Sequence, residues 1–357
     1  MLKYATTHLD AFFLAMLVFT PLAAFAEYAG ASPVLVFVLS ALAIVPLAKF
    51  IGASTEEIAS RTTPALGGLL NATFGNATEL IIGIMALHAG LVEVVKASIT
   101  GSILGNLLLV LGTSMAVGGW GRERQTFNAI GAKANGSTLL LAATALVIPA
   151  VFLSTAPPTD GAATVEAVSL AVAALMILTY VASLFFSLHT HKHLYEAEVA
   201  RFEPKWSTGK SVLILLAATL AVAFVSDFLV GSINPLMAAL GWTPLFVGAV
   251  VVAIIGNVAE HVSAVVVALK NRMDLAVQIS MGSATQVILL VMPVLVFISV
   301  FMGTPMTLVF TLFELVAIML SVFVVHSVIE DGVSTWFEGA QLAVVYCIIA
   351  VAFFFHP

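Results

Sequence analysis

Charge is what this 357-residue sequence has least of. Asp, Glu, Lys and Arg make up 9% of it, hydrophobic residues make up 61%, and the mean hydropathy is +1.13. Soluble globular domains carry about 25% charged residues, so a soluble globular fold is excluded. Cysteine is nearly absent. Cys347 stands alone, which rules out an intramolecular disulfide and any zinc or iron–sulfur site built on thiolates. No Gly-rich phosphate loop holds a nucleotide, no cofactor motif is present, and nothing points to nucleic acid. A zinc-hydrolase helix is missing as well. His261 follows Glu260, but Val265, four residues on, offers no metal ligand. An enzyme is not the expectation.

What is there is apolar sequence in helix-length runs from end to end, the pattern of a polytopic membrane protein. Lipid cannot satisfy backbone polar groups, which leaves helices or a closed barrel. Runs of about twenty residues, without the ten-residue alternation of barrel strands, select helices. The expected fold is therefore all-α and membrane-embedded. Eleven segments are expected at 10–28, 33–50, 67–88, 94–119, 138–156, 164–188, 211–231, 243–269, 275–302, 306–329 and 338–355. Lys3 ahead of the first run imitates a signal peptide, but no small-residue cleavage site follows, and the run reads as a retained helix. Gly52 to Arg61, with Glu56 and Glu57, reads as a short interfacial helix. The longest polar connection, His189 to Lys210, holds Glu196, Glu198 and Glu203 among His and Lys residues.

Lys and Arg set the orientation. Placing the N-terminus and every second loop on one side gathers twelve of the thirteen there and leaves only Lys96 opposite. That split predicts a cytoplasmic N-terminus and an outer C-terminus in the cell membrane.

A carboxylate interrupts the apolar runs twice in the same way. Gly75-Asn76-Ala77-Thr78-Glu79-Leu80 and Gly256-Asn257-Val258-Ala259-Glu260-His261 are separated by an offset of 181 residues. The same offset carries Gly67 onto Gly248, Glu93 onto Asp274, Gly101 onto Gly282 and Ser102 onto Ser283 without a gap. The chain reads as residues 1–30, one N-terminal helix; 31–188, a first five-helix repeat; 189–210, a cytoplasmic linker; and 211–357, a second five-helix repeat. Five spans per repeat invert the second against the first, the architecture of secondary transporters with midplane sites at broken helices.

Glu79 and Glu260 both fall near mid-depth, where a charge costs about 2.5–3.5 kcal/mol on insertion scales and marks function by default. Gly75 and Gly256, with Gly67, Gly68 and Gly248, allow each helix to break there. Asn76, Asn257, Ser102, Ser283, Gln286 and Asn106 add side-chain oxygens, so the environment is all-oxygen. Hard cations such as Ca²⁺ want six to eight oxygens in a flexible cage, and the shortage of Cys and His disfavours zinc or copper. The pair also suits protons. Empty and facing each other in a low dielectric, two carboxylates repel, so that at least one takes up a proton. A divalent ion or protons neutralise the pair, each excluding the other.

His261 breaks the symmetry with a side chain that ordinarily titrates near neutrality, and is a candidate proton relay. Asp227 and Glu314, inside the seventh and tenth segments, either pass protons or accept structural hydrogen bonds. Glu93 and Asp274 sit at helix starts, where acids are favourable. His189-Thr190-His191-Lys192-His193 has the composition of a metal-binding tract or of a solvated helix end.

Gly75–Leu80 and Gly256–His261 resemble the two signature repeats of the calcium/cation–proton exchangers, a branch of the calcium/cation antiporter superfamily. The likeness extends to Ser226-Asp227-Phe228-Leu229-Val230, Gly282-Ser283-Ala284-Thr285-Gln286 and Asp331-Gly332 through Trp336-Phe337-Glu338-Gly339. It implies eleven helices, Ca²⁺ movement driven by protons, alternating access, and both Ca²⁺ and protons held by Glu79 and Glu260. Sodium-driven relatives usually carry Ser after the repeat glycine, so Asn76 and Asn257 favour the proton-coupled branch.

The expectation is thus an antiporter with Ca²⁺ and H⁺ as substrates, the bilayer as solvent, no cofactor and no ATP, with a homo-oligomer left open. The third and eighth segments would bring the acids together, the fourth and ninth would complete the cage, and the first and sixth, with their inverted counterpart, would slide. Two titrating acids would exchange two protons per Ca²⁺, and a third titrating group would make exchange electrogenic. The rivals are a Na⁺/Ca²⁺ or Na⁺/H⁺ exchanger using the same acids, and a cation channel with an acidic ring.

Overall fold

The structure, a computed structural model, describes residues 11–155, 162–191 and 204–356. Apart from one two-residue strand pair, every regular element in it is helical. In chain order the helices are α1 (Ala11–Tyr28), α2 (Pro33–Ala59), α3 (Pro64–Gly75), α4 (Ala77–His88), α5 (Val92–Gly119) and α6 (Ala129–Thr155). They continue with α7 (Ala163–Thr190), α8 (Thr208–Leu240), α9 (Pro244–Gly256), α10 (Val258–Leu269), α11 (Met273–Phe301), α12 (Leu312–Val328) and α13 (Trp336–Phe355). Eight of these are long and apolar enough to cross a bilayer by themselves. Two bent pairs, α3/α4 and α9/α10, pass the same test only when each is taken as one span. The 17-residue α12 is apolar but short. The chain is an integral multi-pass membrane protein.

Burial sorts the helices. Over its 18-residue apolar stretch α5 is 83% buried, whereas those of α1, α7 and α13 are 17%, 22% and 22% buried, so α5 runs through the centre and the others face lipid. Where α5 passes its neighbours, the small residues let backbones touch, as expected of helices that gain nothing by hiding apolar surface from lipid. A methyl group on Gly112 would come within 2.8 Å of the Ala343 amide nitrogen, and one on Gly339 within 2.2 Å of the Ala116 nitrogen, which places α13 directly on α5. The helices α2 and α8 lie along each other. Ala26, Val36 and Phe228 form the small cluster that joins α1 to this pair.

Several boundaries differ from those expected. The interfacial helix at Gly52–Arg61 does not stand apart: α2 continues unbroken from Pro33 to Ala59, passing Pro46 within it. Its polar end is held rather than exposed. Glu57 is buried and accepts hydrogen bonds from the Lys205 and Trp206 amides at 2.9 and 3.0 Å, while Arg61 donates to the Trp206 carbonyl. The sixth helix starts at Ala129, nine residues before the expected 138, because Asn128 accepts from the Ile130 and Gly131 amides and starts the helix in polar sequence. The helix α8 does not end at 231 but resumes as Ile233–Leu240. The tenth segment begins only at Leu312, where Thr311 and Glu314 form a reciprocal capping box. Lys192, His193, Glu196, Glu198, Arg201 and Glu203 of the linker, with Lys3, lie outside the described residues.

Candidate functional site

Each bent pair breaks immediately after the repeat glycine. The α3/α4 pair turns by 45° about Asn76, and the α9/α10 pair by 60° about Asn257. Both asparagines leave helical geometry in the same way, with φ/ψ of −103°/17° and −98°/10°. A new helix then starts, and Glu79 and Glu260 occupy its first turn. The unpaired amides and dipole of a helix N-terminus favour a negative charge there. The break therefore does two things at once: it opens the backbone at mid-chain and it gives a carboxylate a supportive position in lipid.

The two acids converge. Glu79 lies within electrostatic reach of Glu260. Its side chain rests on the opposite break: a β-carbon on Gly256 would be 3.2 Å from Glu79 Cγ. The mirrored contact is not made, since the atom nearest a β-carbon on Gly75 is Asn71 Oδ1, at 3.8 Å. Both Glu79 oxygens and Oε2 of Glu260 are buried and have no hydrogen-bond partner in the protein. Buried polar groups are almost always paired, so three unpaired carboxylate oxygens mark this as the candidate site.

Around the acids runs a polar network that joins the two sequence repeats. Asn106 donates to Asn257 Oδ1 at 3.0 Å and to Ser283 Oγ at 2.9 Å. Asn257 in turn donates to Ser102 Oγ at 2.8 Å and to the Ala253 carbonyl at 2.9 Å. Asn76 donates to Gln286 Oε1 at 2.7 Å. The eight residues singled out for their oxygens, Glu79, Glu260, Asn76, Asn257, Ser102, Ser283, Gln286 and Asn106, thus fall in one cluster. Asn106 keeps its carbonyl oxygen buried and unpartnered, as does His261 its Nε2, which would sit 4.0 Å from a β-carbon on Gly105. Glu79, Ser102 and Gly256 line one cavity of about 20 Å³, room for about one water or ion. Ile82, Val287, Val291 and Leu295 close its apolar sides.

Two features were beyond the sequence reading. Ser98 lines the same cavity. Its repeat partner at an offset of 181 is Ile279, so a search by repeat symmetry passes over it. The site helices also widen into π-turns at matching places, Gly105–Val110 in α5 and Val287–Val291 in α11, a distortion that recurs at functional sites.

The other candidates lie elsewhere. Glu314 lies in the first turn of α12, where Oε2 accepts from the Thr311 amide and hydroxyl and Oε1 from the Thr100 hydroxyl at 3.0 Å. Asp227 is exposed on α8. Glu93 pairs with Lys96 at 3.6 Å, and Asp274 accepts from the Asn128 amide. His189 and His191 pack against Phe185 and Phe186 at ring distances of 5.3 and 4.1 Å. Among the described residues no three His, Cys, Asp or Glu side chains gather.

Comparison with known proteins gives a consistent picture. Residues 32–189 and 210–355 match the family model described as sodium/calcium exchanger protein. The chain is 46% identical to a Ca(2+)/H(+) antiporter of Synechocystis over 97% of both chains. It is 45% identical to the Ca(2+)/H(+) antiporter ChaA of Bacillus subtilis, over 89% of this chain and 91% of that one. The solved structure of native YfkE superposes with a TM-score of 0.85 at 41% identity, covering 96% of this chain and 99% of that one.

Proposed function

Since the chain belongs to the sodium/calcium exchanger protein family, we propose that it exchanges Ca²⁺ for H⁺ across the membrane by alternating access. One observation carries the reading: the carboxylates of Glu79 and Glu260 converge at two helix breaks with three oxygens buried and unpartnered. At an effective dielectric of about 20, two charges about 4 Å apart repel by roughly 4 kcal/mol. A pair so placed is neutralised by one divalent cation or by two protons, and the occupants exclude each other. That exclusion is the coupling.

In this reading Ca²⁺ is held by Glu79 and Glu260, with Asn106 Oδ1 and Ser102 Oγ nearest to hand. Asn76, Asn257, Ser283 and Gln286 hold the shell in place, and each amide oxygen that accepts one hydrogen bond keeps a lone pair for the ion. With two titrating acids the exchange is two protons per Ca²⁺ and electroneutral. His261, whose Nε2 is buried beside the site, relays protons to the pair.

The two repeats are inverted, and the asymmetry of the state follows from that. The crossing of α5 with α9 is shut, backbone on backbone: a β-carbon on Gly101 would lie 2.0 Å from the Ala249 carbonyl oxygen, and one on Gly248 lies 2.6 Å from that of Val94. The repeat-related crossing would involve Gly282 of α11 and Gly67 of α3. Nothing stands within 4 Å of a β-carbon on Gly282, and the atoms nearest one on Gly67 belong to Ala59 and Thr62, before and within the turn that leads into α3, not to α11. With the N-terminus cytoplasmic, as the Lys and Arg distribution supports, the shut crossing is on the outer side and the open one faces the cytoplasm of a cell membrane. The helices α2 and α8 pack along each other beside the elements expected to slide, the first and sixth segments with their inverted counterpart.

The test is ⁴⁵Ca²⁺ uptake into proteoliposomes with and without an imposed pH gradient, in the absence of Na⁺. Uptake driven by the gradient and lost in Glu79→Gln and in Glu260→Gln is the expected result. Uptake that needs a Na⁺ gradient would move the protein to sodium exchange, and normal proton-driven uptake in either variant would remove the acids from the mechanism.

A further inference from the structure

A groove of about 710 Å³ opens on the outside of the bundle, where α5 and α10 end and α13 begins. Its floor is made of small residues, Ala116 and Ala340, because α5 and α13 cross backbone on backbone there. A β-carbon on Gly119 would lie 2.8 Å from the Trp336 amide nitrogen. Its sides are Val117, Leu269 and the indoles of Trp120 and Trp336, which are 73% and 43% exposed. The two indole rings meet edge to face at 5.4 Å. Tryptophans so placed on a membrane protein belong at the level of the lipid headgroups, where the ring is buried and its N–H stays wet.

Arg122 completes the lining. The chain reverses at Gly121, whose φ of 75° costs a glycine nothing sterically, and the Arg122 amide then donates to the Gly119 carbonyl at 3.0 Å. The guanidinium is held by the last turns of two helices. It donates to the Gly118 carbonyl of α5 and, at 3.0 Å, to the Leu269 carbonyl of α10. Cations are favoured at helix C-termini, so the group is fixed in place without an acid. A guanidinium carries five N–H donors, and these two bonds leave three at the groove. Among the described residues no carboxylate forms an ion pair with it.

The charge around Arg122 has one sign. Residues 120–124 and 269–272 hold Arg122, Arg124, Lys270 and Arg272 against Glu123 alone. Both segments lie on the side where Lys and Arg gather, which is cytoplasmic in the reading above. The second repeat keeps the aromatic but not the cation: the offset of 181 carries Trp120 onto Phe301 and Arg122 onto Gly303. An aromatic at headgroup depth thus recurs on both sides of the membrane, while the fixed cation beside it belongs to one side only.

We propose that this groove binds one phospholipid with an anionic headgroup, its phosphate on the Arg122 guanidinium and an acyl chain along Val117 and Leu269, between Trp120 and Trp336. The planar fork of a guanidinium matches two phosphate oxygens at once. The local excess of positive charge selects an anionic over a zwitterionic headgroup, as basic pockets between membrane helices do. Arg122 bonds both α5, which carries Ser102 and Asn106, and α10, which carries Glu260. The lipid therefore braces two helices of the cation site at their ends. Its binding does not depend on the exchange reading.

Lipid binding to the purified full-length protein tests it. The parent, Arg122→Gln and Val117→Trp are titrated in non-ionic detergent with dioleoyl phosphatidylglycerol or dioleoyl phosphatidylcholine, and bound lipids are counted by native mass spectrometry. Arg122→Gln removes the phosphate contact together with two helix-end bonds, whereas Val117→Trp fills the groove and leaves those bonds alone. The first phosphatidylglycerol should bind the parent roughly tenfold or more tightly than it binds either variant. It should also outbind phosphatidylcholine on the parent, a comparison that needs no variant to fold. Equal affinities for the two lipids would overturn the anionic headgroup, and undiminished phosphatidylglycerol binding by either folded variant would overturn the site. Displacement of the lipid by an equal concentration of inorganic phosphate would make this a free-anion site. A parent oligomer that Val117→Trp dissociates would make the groove a contact between copies, and either result would overturn the proposal.

Discussion

Adding one methyl group at Gly101 or at Gly282 separates two readings of this fold. The positions are related by the repeat offset, yet their surroundings are opposite. At Gly101 the new carbon would meet the Ala249 oxygen at 2.0 Å and the Ala249 carbonyl and α-carbons at 2.5 Å, where β-carbons essentially never come within 3.0 Å. Both sides are backbone, so no rotamer relieves the contact, and α5 and α9 must part by about 1 Å in an interior that packs like a crystal. Overpacking of this kind costs about 1–3 kcal/mol, and backbone against backbone places Gly101→Ala at the top of that range. At Gly282 nothing lies within 4 Å, so Gly282→Ala should leave the stability of this state unchanged. If the repeats alternate, however, the α11–α3 crossing must tighten in the other state as the α5–α9 crossing is tightened now. Gly282→Ala should then melt like the parent in detergent and fail in ⁴⁵Ca²⁺ uptake, while Gly101→Ala should melt earlier. Wild-type uptake by a stable Gly282→Ala would show that the second crossing never closes, and alternation by repeat exchange would be refuted. Wild-type melting by Gly101→Ala would refute the backbone contact itself.

Three further outcomes follow from the site. Glu79→Gln and Glu260→Gln should abolish uptake while keeping or raising the melting temperature, because each replaces a buried carboxyl that has no hydrogen-bond partner on at least one oxygen and is costly to ionise away from water; a fall of several degrees in both would make the acids structural. Asn257→Ala deletes the link between Asn106 and Ser102 and leaves buried groups unpaired, which should destabilise the protein by about 1–3 kcal/mol; melting and uptake in Asn257→Asp and Asn257→Ala together separate the lost bond from a lost ligand. Metal ligands must be deprotonated to bind, so protons compete at Glu79 and Glu260 and the apparent KM for Ca²⁺ should fall as pH rises on the loading side. His261→Gln should flatten that profile, and an unchanged pH profile with unchanged rate would end the relay.

The sequence alone carried most of the candidate site. Lipid makes a buried acid expensive, so Glu79 and Glu260 stand out from the apolar runs without any knowledge of the fold, and the shared offset of Gly75, Asn76 and Glu79 with Gly256, Asn257 and Glu260 pairs them. Asn76 with Asn257 and Ser102 with Ser283 came with the same offset, while Gln286 falls opposite Gly105, one place from Asn106, so that amide is only approximately repeated. What needed the tertiary structure was everything that repeat symmetry cannot see. Ser98 has Ile279 as its partner and Thr100 has Met281, so neither announces itself, and only packing shows that one lines the cavity and the other holds Glu314. The end of α2 looked like a separate interfacial helix because Glu56 and Glu57 are charged; Glu57 is buried because backbone amides 148 and 149 residues away donate to it. Equivalent glycines read alike along the chain, but Gly101 is pinned and Gly282 is free. Local chemistry and repetition determine which residues must meet in lipid. Which of two equivalent crossings is shut depends on long-range packing, and two copies of one motif cannot record it.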